Sequence, residues 1–212
     1  MPDNDRCEIC GRKAVLQSGT FDGLSVDCDR CGYYEITRNA LGRCRKLSNR
    51  QKALVSGWLR EQSEIGAQHR LYEKDIERIA QLPFPTMAER ADRLLQYVER
   101  HQEHLGDIFT IVDDPAFNAI SYARDSQERL EVVKFLEWRS HIERGNDDGE
   151  RRITSAGYEY LDRLRQRQPD SSQAFVAMWF NPDLGRVFDE GFSVGIAAAG
   201  YTVAREIGYD ET

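Results

Sequence analysis

Apolar residues recur along the chain at spacings that predict helices in its middle and strands near both ends. Behind Ser48 and behind Thr86, apolar positions repeat every three or four residues, which is the period of a helix with one buried face. A Gln or a Glu follows each of these two residues by three positions, which is typical of a capping box that begins a helix. A shorter helix is predicted over residues 73–81, and the helix behind Thr86 is expected to end near Leu105.

In the segment from 125 to 165 the pattern predicts a helix, a β-hairpin and a second helix. Asp125 and Thr154 are suited to cap the two helices, and Asp148-Gly149 is typical of a tight hairpin turn. This order is that of a winged-helix domain with residues 146–150 at the tip of the wing. The phrase ITSAGYEYL resembles the end of the wing in many winged helices.

The last part of the chain has the pattern of a β-α-β unit. A polar segment with Pro and Ser, QRQPDSSQ, precedes it and marks a domain boundary. Residues 174–180 are a continuous apolar run that predicts a buried strand, and Pro182 and Asp183 are suited to begin a helix. That helix is expected to end at Gly200, and residues 201–207 are expected to form a second strand.

The composition is that of a water-soluble protein. Charged residues make up 31% of the 212 residues, and the formal net charge is −7. No apolar run approaches the roughly 20 residues that span a bilayer, and the segment MPDNDRCEIC lacks the apolar core of a secretion signal. We therefore expect a cytoplasmic protein without membrane contact.

Four of the five cysteines lie in two CxxC pairs: Cys7 with Cys10, and Cys28 with Cys31. Seventeen residues separate the pairs, which is typical of two tight turns that present four thiolates to one zinc ion. Gly11 and Gly32 follow the second cysteine of each pair, where a positive φ aims backbone N–H groups at the sulfur atoms. Four thiolates fill a tetrahedral shell, so we expect a structural Zn²⁺ with no open position for a substrate.

Two alternative explanations exist for the paired cysteines. A disulfide framework needs an oxidising compartment, whereas the cytosol keeps thiols reduced. A thioredoxin-like site needs only one CxxC, next to a β-α-β pattern. That pattern is missing around these cysteines. Short β-rich segments between the pairs favour a zinc ribbon over residues 1–47, whose small core would draw about 10 kcal/mol of stability from metal binding. Cys44 is expected to be an apolar filler and not a fifth ligand.

Positive charge is concentrated between the predicted ribbon and the first long helix. No acidic residue interrupts a stretch that contains six basic side chains: Arg38, Arg43, Arg45, Lys46, Arg50 and Lys52. Together with Arg151 and Arg152 of the predicted hairpin, they are a candidate nucleic-acid-binding surface. A solvated face beside a metal module is the alternative. The helix before the hairpin is rich in Glu, which repels phosphate, so a winged helix that contacts protein is an equal alternative to one that reads DNA.

The C-terminal residues resemble a known family. The run FVAMWF, followed by Asn-Pro, an amphipathic helix and the phrase AGY, is similar to the beginning of nucleoside 2-deoxyribosyltransferase-like domains, which are relatives of the TIR fold. The order of zinc ribbon, helical middle and this strand resembles uncharacterised bacterial proteins that we associate with anti-phage defence. The resemblance implies that the full domain cleaves an N-glycosidic bond in a nucleoside or dinucleotide.

The same resemblance implies a nucleoside or nucleotide pocket at the end of the first strand. The residues that would border it are Ala177, Met178, Trp179, Phe180 and Asn181. Ligands of open α/β sheets do bind beyond the carboxyl ends of strands, and an aromatic ring there can stack on a base. The alternative is that the two aromatic side chains only pack beneath the following helix.

The predicted fold class is α+β with several domains. They are a zinc ribbon at 1–47, a helical segment at 48–105, a winged-helix-like domain at 106–168 and a partial α/β unit at 174–212. In the family, the catalytic glutamate and its supporting acid come from later strands, so we expect a truncated and catalytically silent chain. The alternative to a truncated chain is that a second copy or another protein completes the sheet, because two strands leave an edge uncovered.

The hypothesis that covers most of the chain is a zinc-stabilised sensor or regulatory module of a nucleotide-directed effector. A nucleic-acid-binding regulator is the first alternative, and it depends on the basic stretch and the arginines of the hairpin. A protein-interaction scaffold is the second alternative, and it depends on the exposed edge of the C-terminal sheet.

Overall fold

Two units, Met1–Leu161 and Asp162–Thr212, divide the chain. The computed structural model describes residues 5–18, 21–112, 114–167, 173–175, 191–198 and 202–204. Within these residues the fold is a mixture of helices and small β-sheets. The expectation of an α+β chain is therefore confirmed at this level.

The first sheet of the larger unit is an antiparallel meander with one added edge strand. Its strands are β1 (Val15–Ser18), β2 (Gly23–Cys28), β3 (Gly32–Thr37) and β4 (Arg70–Leu71). They lie in the order β1-β2-β3-β4, and β4 runs parallel to β3. The tight connection between β2 and β3 pairs Cys28 with Gly32, so two cysteines lie at one end of the sheet.

Three helices cover this sheet: α1 (Arg38–Cys44), α2 (Asn49–Glu64) and α3 (Glu73–Ala80). The predicted capping box before α2 is present, because Gln51 N donates to the Ser48 hydroxyl while the Gln51 side chain accepts from Ser48 N. The short helix predicted over residues 73–81 is confirmed as α3, and its apolar residues Ile76 and Ile79 are buried in the core. Sequence analysis did not predict α1, which begins where the basic stretch begins.

A second set of elements follows α3. They are α4 (Met87–Arg100), β5 (Phe109–Thr110), α5 (Pro115–Ile120), α6 (Ser126–Trp138), β6 (Ile142–Arg144), β7 (Glu150–Ile153) and α7 (Ser155–Arg167). The antiparallel hairpin β6–β7 is present as predicted, and β5 pairs with β7 to give the order β5-β7-β6. Across the described residues, no helix combines the length and the apolar content that crossing a membrane requires.

The structure corrects two details of this segment. Helix α4 ends at Arg100 and not near Leu105, and Met87, which the apolar spacing places on the same face as Ala91 and Leu94, is 38% exposed. The sequence of residues 108–124 suggests one or two short extended segments, and β5 is one of them, but α5 forms from Pro115 onward. The Asp114 carboxylate accepts a hydrogen bond from Ala116 N, and Pro115 occupies the first turn, where its fixed φ and missing N–H suit a helix.

Close packing of α2 on the end of α5 joins the two sets of elements. Gly57 lies on α2 opposite the buried ring of Tyr122, and a Cβ atom at Gly57 would lie 2.6 Å from two ring carbons. Tyr122 itself has a φ of +52°, which is uncommon for an aromatic residue. The contact therefore requires the missing side chain at Gly57 and an unusual backbone at Tyr122.

The smaller unit contains a parallel strand pair. Its described elements are β8 (Gln173–Phe175), α8 (Ser193–Ala198) and β9 (Thr202–Ala204). Ala174 is paired with Val203 in a parallel register, which is the arrangement expected of a β-α-β unit. The candidate pocket residues Ala177–Asn181 lie outside the described residues.

We expect Gly57→Ala to lower the free energy of unfolding by about 1–3 kcal/mol, because the new methyl group collides with the Tyr122 ring. Alanine normally stabilises a helix by up to about 1 kcal/mol relative to glycine. The expected change in the free energy of unfolding is therefore opposite to the one that intrinsic helix propensity predicts. Gly42→Ala in α1 is the matched control, since a Cβ there meets no atom within 4 Å. Urea denaturation of both variants measures the difference. Equal stabilisation of both variants would contradict the proposed contact.

Candidate metal centre

The four paired cysteines converge on one point in the larger unit. Their Sγ atoms all lie within 4.8 Å of one another. The Sγ atoms of Cys10 and Cys28 are 3.5 Å apart, and those of Cys7 and Cys31 are 3.8 Å apart. This arrangement confirms that the predicted set can hold one metal ion.

Two turns present the sulfur atoms. The first turn lies between the bridged residues Arg6 and Lys13, and Gly11 N closes it by donating to Cys7 O at 2.7 Å. The second is the β2–β3 connection. Gly11 and Gly32 have φ values of +74° and +79°, as predicted. At Gly32 there is a second constraint, because a Cβ atom would lie 2.5 Å from the Ser63 side chain on α2.

Hydroxyl groups contact two of the sulfur atoms. The Tyr34 hydroxyl lies 3.1 Å from Cys7 Sγ, and the Ser56 hydroxyl lies 3.2 Å from Cys31 Sγ. Burial raises the pKa of Tyr34 well above its usual value, so this phenol stays protonated. Both hydroxyl groups can therefore donate hydrogen bonds to thiolates, which is the second layer of contacts that metal ligands commonly receive.

The chemistry of the four sulfur atoms favours a bound ion over a metal-free core. Three of the cysteines are fully buried and the fourth, Cys10, is partly buried. The hydrogen bond from the Cys10 thiol is the main cause that lowers the pKa of Cys28 to about 7. A thiolate is therefore accessible near neutral pH, and a cation that binds all four sulfur atoms compensates the buried negative charge.

Cys44 does not belong to this cluster. It is buried in the core formed by the sheet and its helices, and it is not among the four residues that share the site. Burial raises the pKa of the Cys44 thiol to about 12, so this side chain stays neutral. The prediction that Cys44 fills apolar space is confirmed by this position.

A buried arginine connects the cysteine cluster to the turn between α5 and α6. Arg30 is only 7% exposed, and its Nε donates to the Ser56 hydroxyl at 3.2 Å. Its Nη2 donates to the carbonyl oxygen of Ala123 at 2.6 Å. The Ser56 oxygen accepts from Arg30, and its own proton can be donated to a Cys31 thiolate. The sequence pattern does not reveal the buried position of Arg30, because nothing in the CxxC spacing distinguishes this residue from a solvated charge.

Most of the candidate phosphate-binding arginines pair with carboxylates. The ion pairs are Arg38 with Asp22, Arg43 with Glu77, Arg45 with Glu8, and Arg152 with Glu143. Arg50 lies over the ring of Phe84 at 4.4 Å. Lys46 is exposed and Lys52 is partly buried. Glu8, Asp22 and Glu77 come from outside the basic stretch and neutralise much of the charge that it offers to phosphate.

Arg151 has a role inside the fold. Its side chain is 4% exposed and pairs with Glu137 of α6, and its Nη1 donates to the carbonyl oxygens of Asp148 and Glu150 at 2.7 Å. These contacts attach the hairpin to α6. Arg151, a candidate for the nucleic-acid-binding surface, is therefore buried in the fold.

Comparison with known proteins identifies no relative. No protein-family model matches the chain, and no curated protein or solved structure matches it either. Functional inference for this protein therefore depends on its own residues and geometry.

We expect Arg30→Ala to lower the free energy of unfolding of the metal-loaded protein by about 2–4 kcal/mol, because Ser56 and the Ala123 carbonyl lose a charged donor in a buried setting. Arg12→Ala, at an exposed position in the first cysteine turn, is the control. Metal content should stay unchanged in both variants, since neither residue is a ligand. Chemical denaturation and metal analysis measure these outcomes, and equal stability of the two variants would contradict the role of Arg30.

Proposed function

We propose that the four-cysteine cluster is a structural Zn²⁺ site in a zinc ribbon that comprises β1, β2 and β3. Four thiolate donors in a tetrahedral arrangement suit zinc, and they leave no position for a substrate or a reactive water. The observation that carries the proposal is the buried cluster of four Sγ atoms within 4.8 Å. In this proposal the ion stabilises the fold and takes no part in chemistry.

The elements that follow α3 support a winged-helix arrangement. In chain order they are α4, β5, α5, α6, β6 and β7, and β5 lies beside β7. Helices α5 and α6 are joined by a short turn, as in a helix-turn-helix. Glu131 and Lys134 pair on the surface of α6. Such a neutralised surface favours contact with protein over insertion into a DNA groove.

The function that these features support best is that of a zinc-stabilised regulatory or sensor module. The bridge from Cys31 through Ser56 and Arg30 to Ala123 supports it, because the bridge couples the metal site to the helix-turn-helix. The association with a nucleotide-directed effector, including one used in anti-phage defence, comes from the resemblance of residues 174–207. The parallel β8–β9 pair is compatible with that resemblance. Pairing of the basic residues argues against the nucleic-acid-binding alternative.

We expect the purified protein to contain one Zn²⁺ per chain and to unfold when a strong chelator removes it. Cys31→Ser should abolish stoichiometric binding, because the remaining three thiolates no longer complete the shell. Cys44→Ser is the matched control and should retain the ion, since this buried cysteine lies outside the cluster. Elemental analysis and circular dichroism measure both effects. Visible absorbance from an iron–sulfur cluster, or a metal-free folded protein, would contradict the proposal.

We expect the chain to bind a nucleoside or NAD without cleaving the N-glycosidic bond. Trp179→Ala should weaken this binding at least about tenfold, because base–aromatic stacking contributes roughly 1–3 kcal/mol. Trp138→Ala is the control, since this side chain is exposed at the end of α6. Calorimetry measures binding, and chromatography of the nucleotides measures turnover. Equal binding by the two variants would contradict the proposed pocket, and robust turnover would contradict catalytic silence.

A further inference from the structure

The four sulfur atoms of the metal centre differ in their protection from solvent and from oxidants. Cys7, Cys28 and Cys31 are at most 1% exposed, whereas Cys10 is partly exposed. A hydroxyl group lies against Cys7 Sγ at 3.1 Å and another lies against Cys31 Sγ at 3.2 Å. The cluster is therefore divided into a shielded pair, Cys7 and Cys31, and a second pair, Cys10 and Cys28.

This division has chemical consequences because oxidation of cysteine follows thiolate character and access. A hydrogen bond from Tyr34 or Ser56 withdraws electron density from the sulfur atom that accepts it and lowers its nucleophilicity. Cys10 is accessible to solvent. Its Sγ lies 3.5 Å from Cys28 Sγ, which is shorter than the 3.8 Å between the Sγ atoms of Cys7 and Cys31. Cys28 is buried, so it is better placed to react with an oxidised Cys10 than with a dissolved oxidant.

We propose that Cys10 is the residue at which a peroxide oxidises the metal centre, and that Cys28 then forms a disulfide with it. The proposal rests on the zinc site proposed above. In the first step the Cys10 thiolate attacks one peroxide oxygen, an S–O bond forms, the O–O bond breaks and hydroxide leaves. In the second step the Cys28 thiolate attacks Cys10 Sγ, the S–S bond forms, the S–O bond breaks and a second hydroxide leaves. The two thiolates lose two electrons, and the peroxide gains them.

Loss of two ligands releases the ion, because a structural zinc site needs all four donors. Cys7 and Cys31 remain reduced, protected by their hydroxyl contacts. The Ser56 hydroxyl then no longer faces a metal-bound thiolate, and the bridge through Arg30 to Ala123 loses its fixed end. Oxidation at Cys10 thus weakens the connection between the metal site and the α5–α6 turn. A disulfide reductant and Zn²⁺ restore it, since a disulfide is reversible.

The experiment treats the zinc-loaded chain with hydrogen peroxide, follows zinc release with a chelating dye, and maps disulfides by mass spectrometry after the free thiols are alkylated. We expect about one Cys10–Cys28 disulfide per released ion, with Cys7, Cys31 and Cys44 alkylated.

Tyr34→Phe keeps the ring and removes the hydroxyl, so it should raise the oxidised share of Cys7 about fivefold. Cys44→Ser is the matched control and should behave like the parent protein.

The outcomes separate this inference from the proposed function. A chain that binds zinc and releases it with a Cys7–Cys31 disulfide, or with a random mixture of pairs, overturns the inference and leaves the zinc site standing. An unchanged oxidation pattern in Tyr34→Phe also counts against shielding by the hydroxyl group. A reduced, folded chain without zinc overturns the proposed function itself.

Discussion

The larger unit depends on bringing four cysteine sulfur atoms together at one end of a small sheet. Strands β1 to β3 are short, and the buried residues of β2 and β3 share one core with residues of α1, α2 and α3. Burial of ionised thiolates without a counter-ion is costly, whereas a metal ion compensates their charge and crosslinks two turns. The cluster therefore sets the geometry of the β2–β3 connection, and the positive φ of Gly11 and Gly32 is the local condition for it.

The cluster is also attached to the helices through a chain of polar contacts. Ser56 contacts Cys31 and accepts from Arg30, and Arg30 reaches Ala123 at the turn between α5 and α6. Every member of this chain is buried. Buried polar groups destabilise a fold when a partner is lost, so such a network transmits a change at the metal site further than apolar packing alone. The proposed regulatory role requires such a connection between the cysteine cluster and the α5–α6 turn.

Ion pairs neutralise much of the positive charge of the basic stretch in the described part of the chain. Arginines of the basic stretch lie beside three carboxylates: Glu8 in the first cysteine turn, Asp22 just before β2, and Glu77 in α3. Exposed ion pairs of this kind contribute little stability, yet they cancel the local field that attracts nucleic acid. The exposed side chain of Trp138 on α6 follows Glu137, the residue that pairs with Arg151 of the hairpin. This face has mixed polarity, which suits contact with protein.

The sequence by itself determined the features that depend on local spacing. CxxC pairs followed by glycine identified the four cysteines that can hold a metal ion, capping boxes identified the beginnings of α2 and α4, and the Asp-Gly turn identified the β6–β7 hairpin, because each is encoded within a few residues. The tertiary structure alone decided which charges are neutralised, that Arg30 is buried, and that Gly57 lies against Tyr122. These outcomes depend on pairs of residues far apart in the chain. Local patterns carry no information about such pairs, because burial and partner choice arise only when the elements pack together.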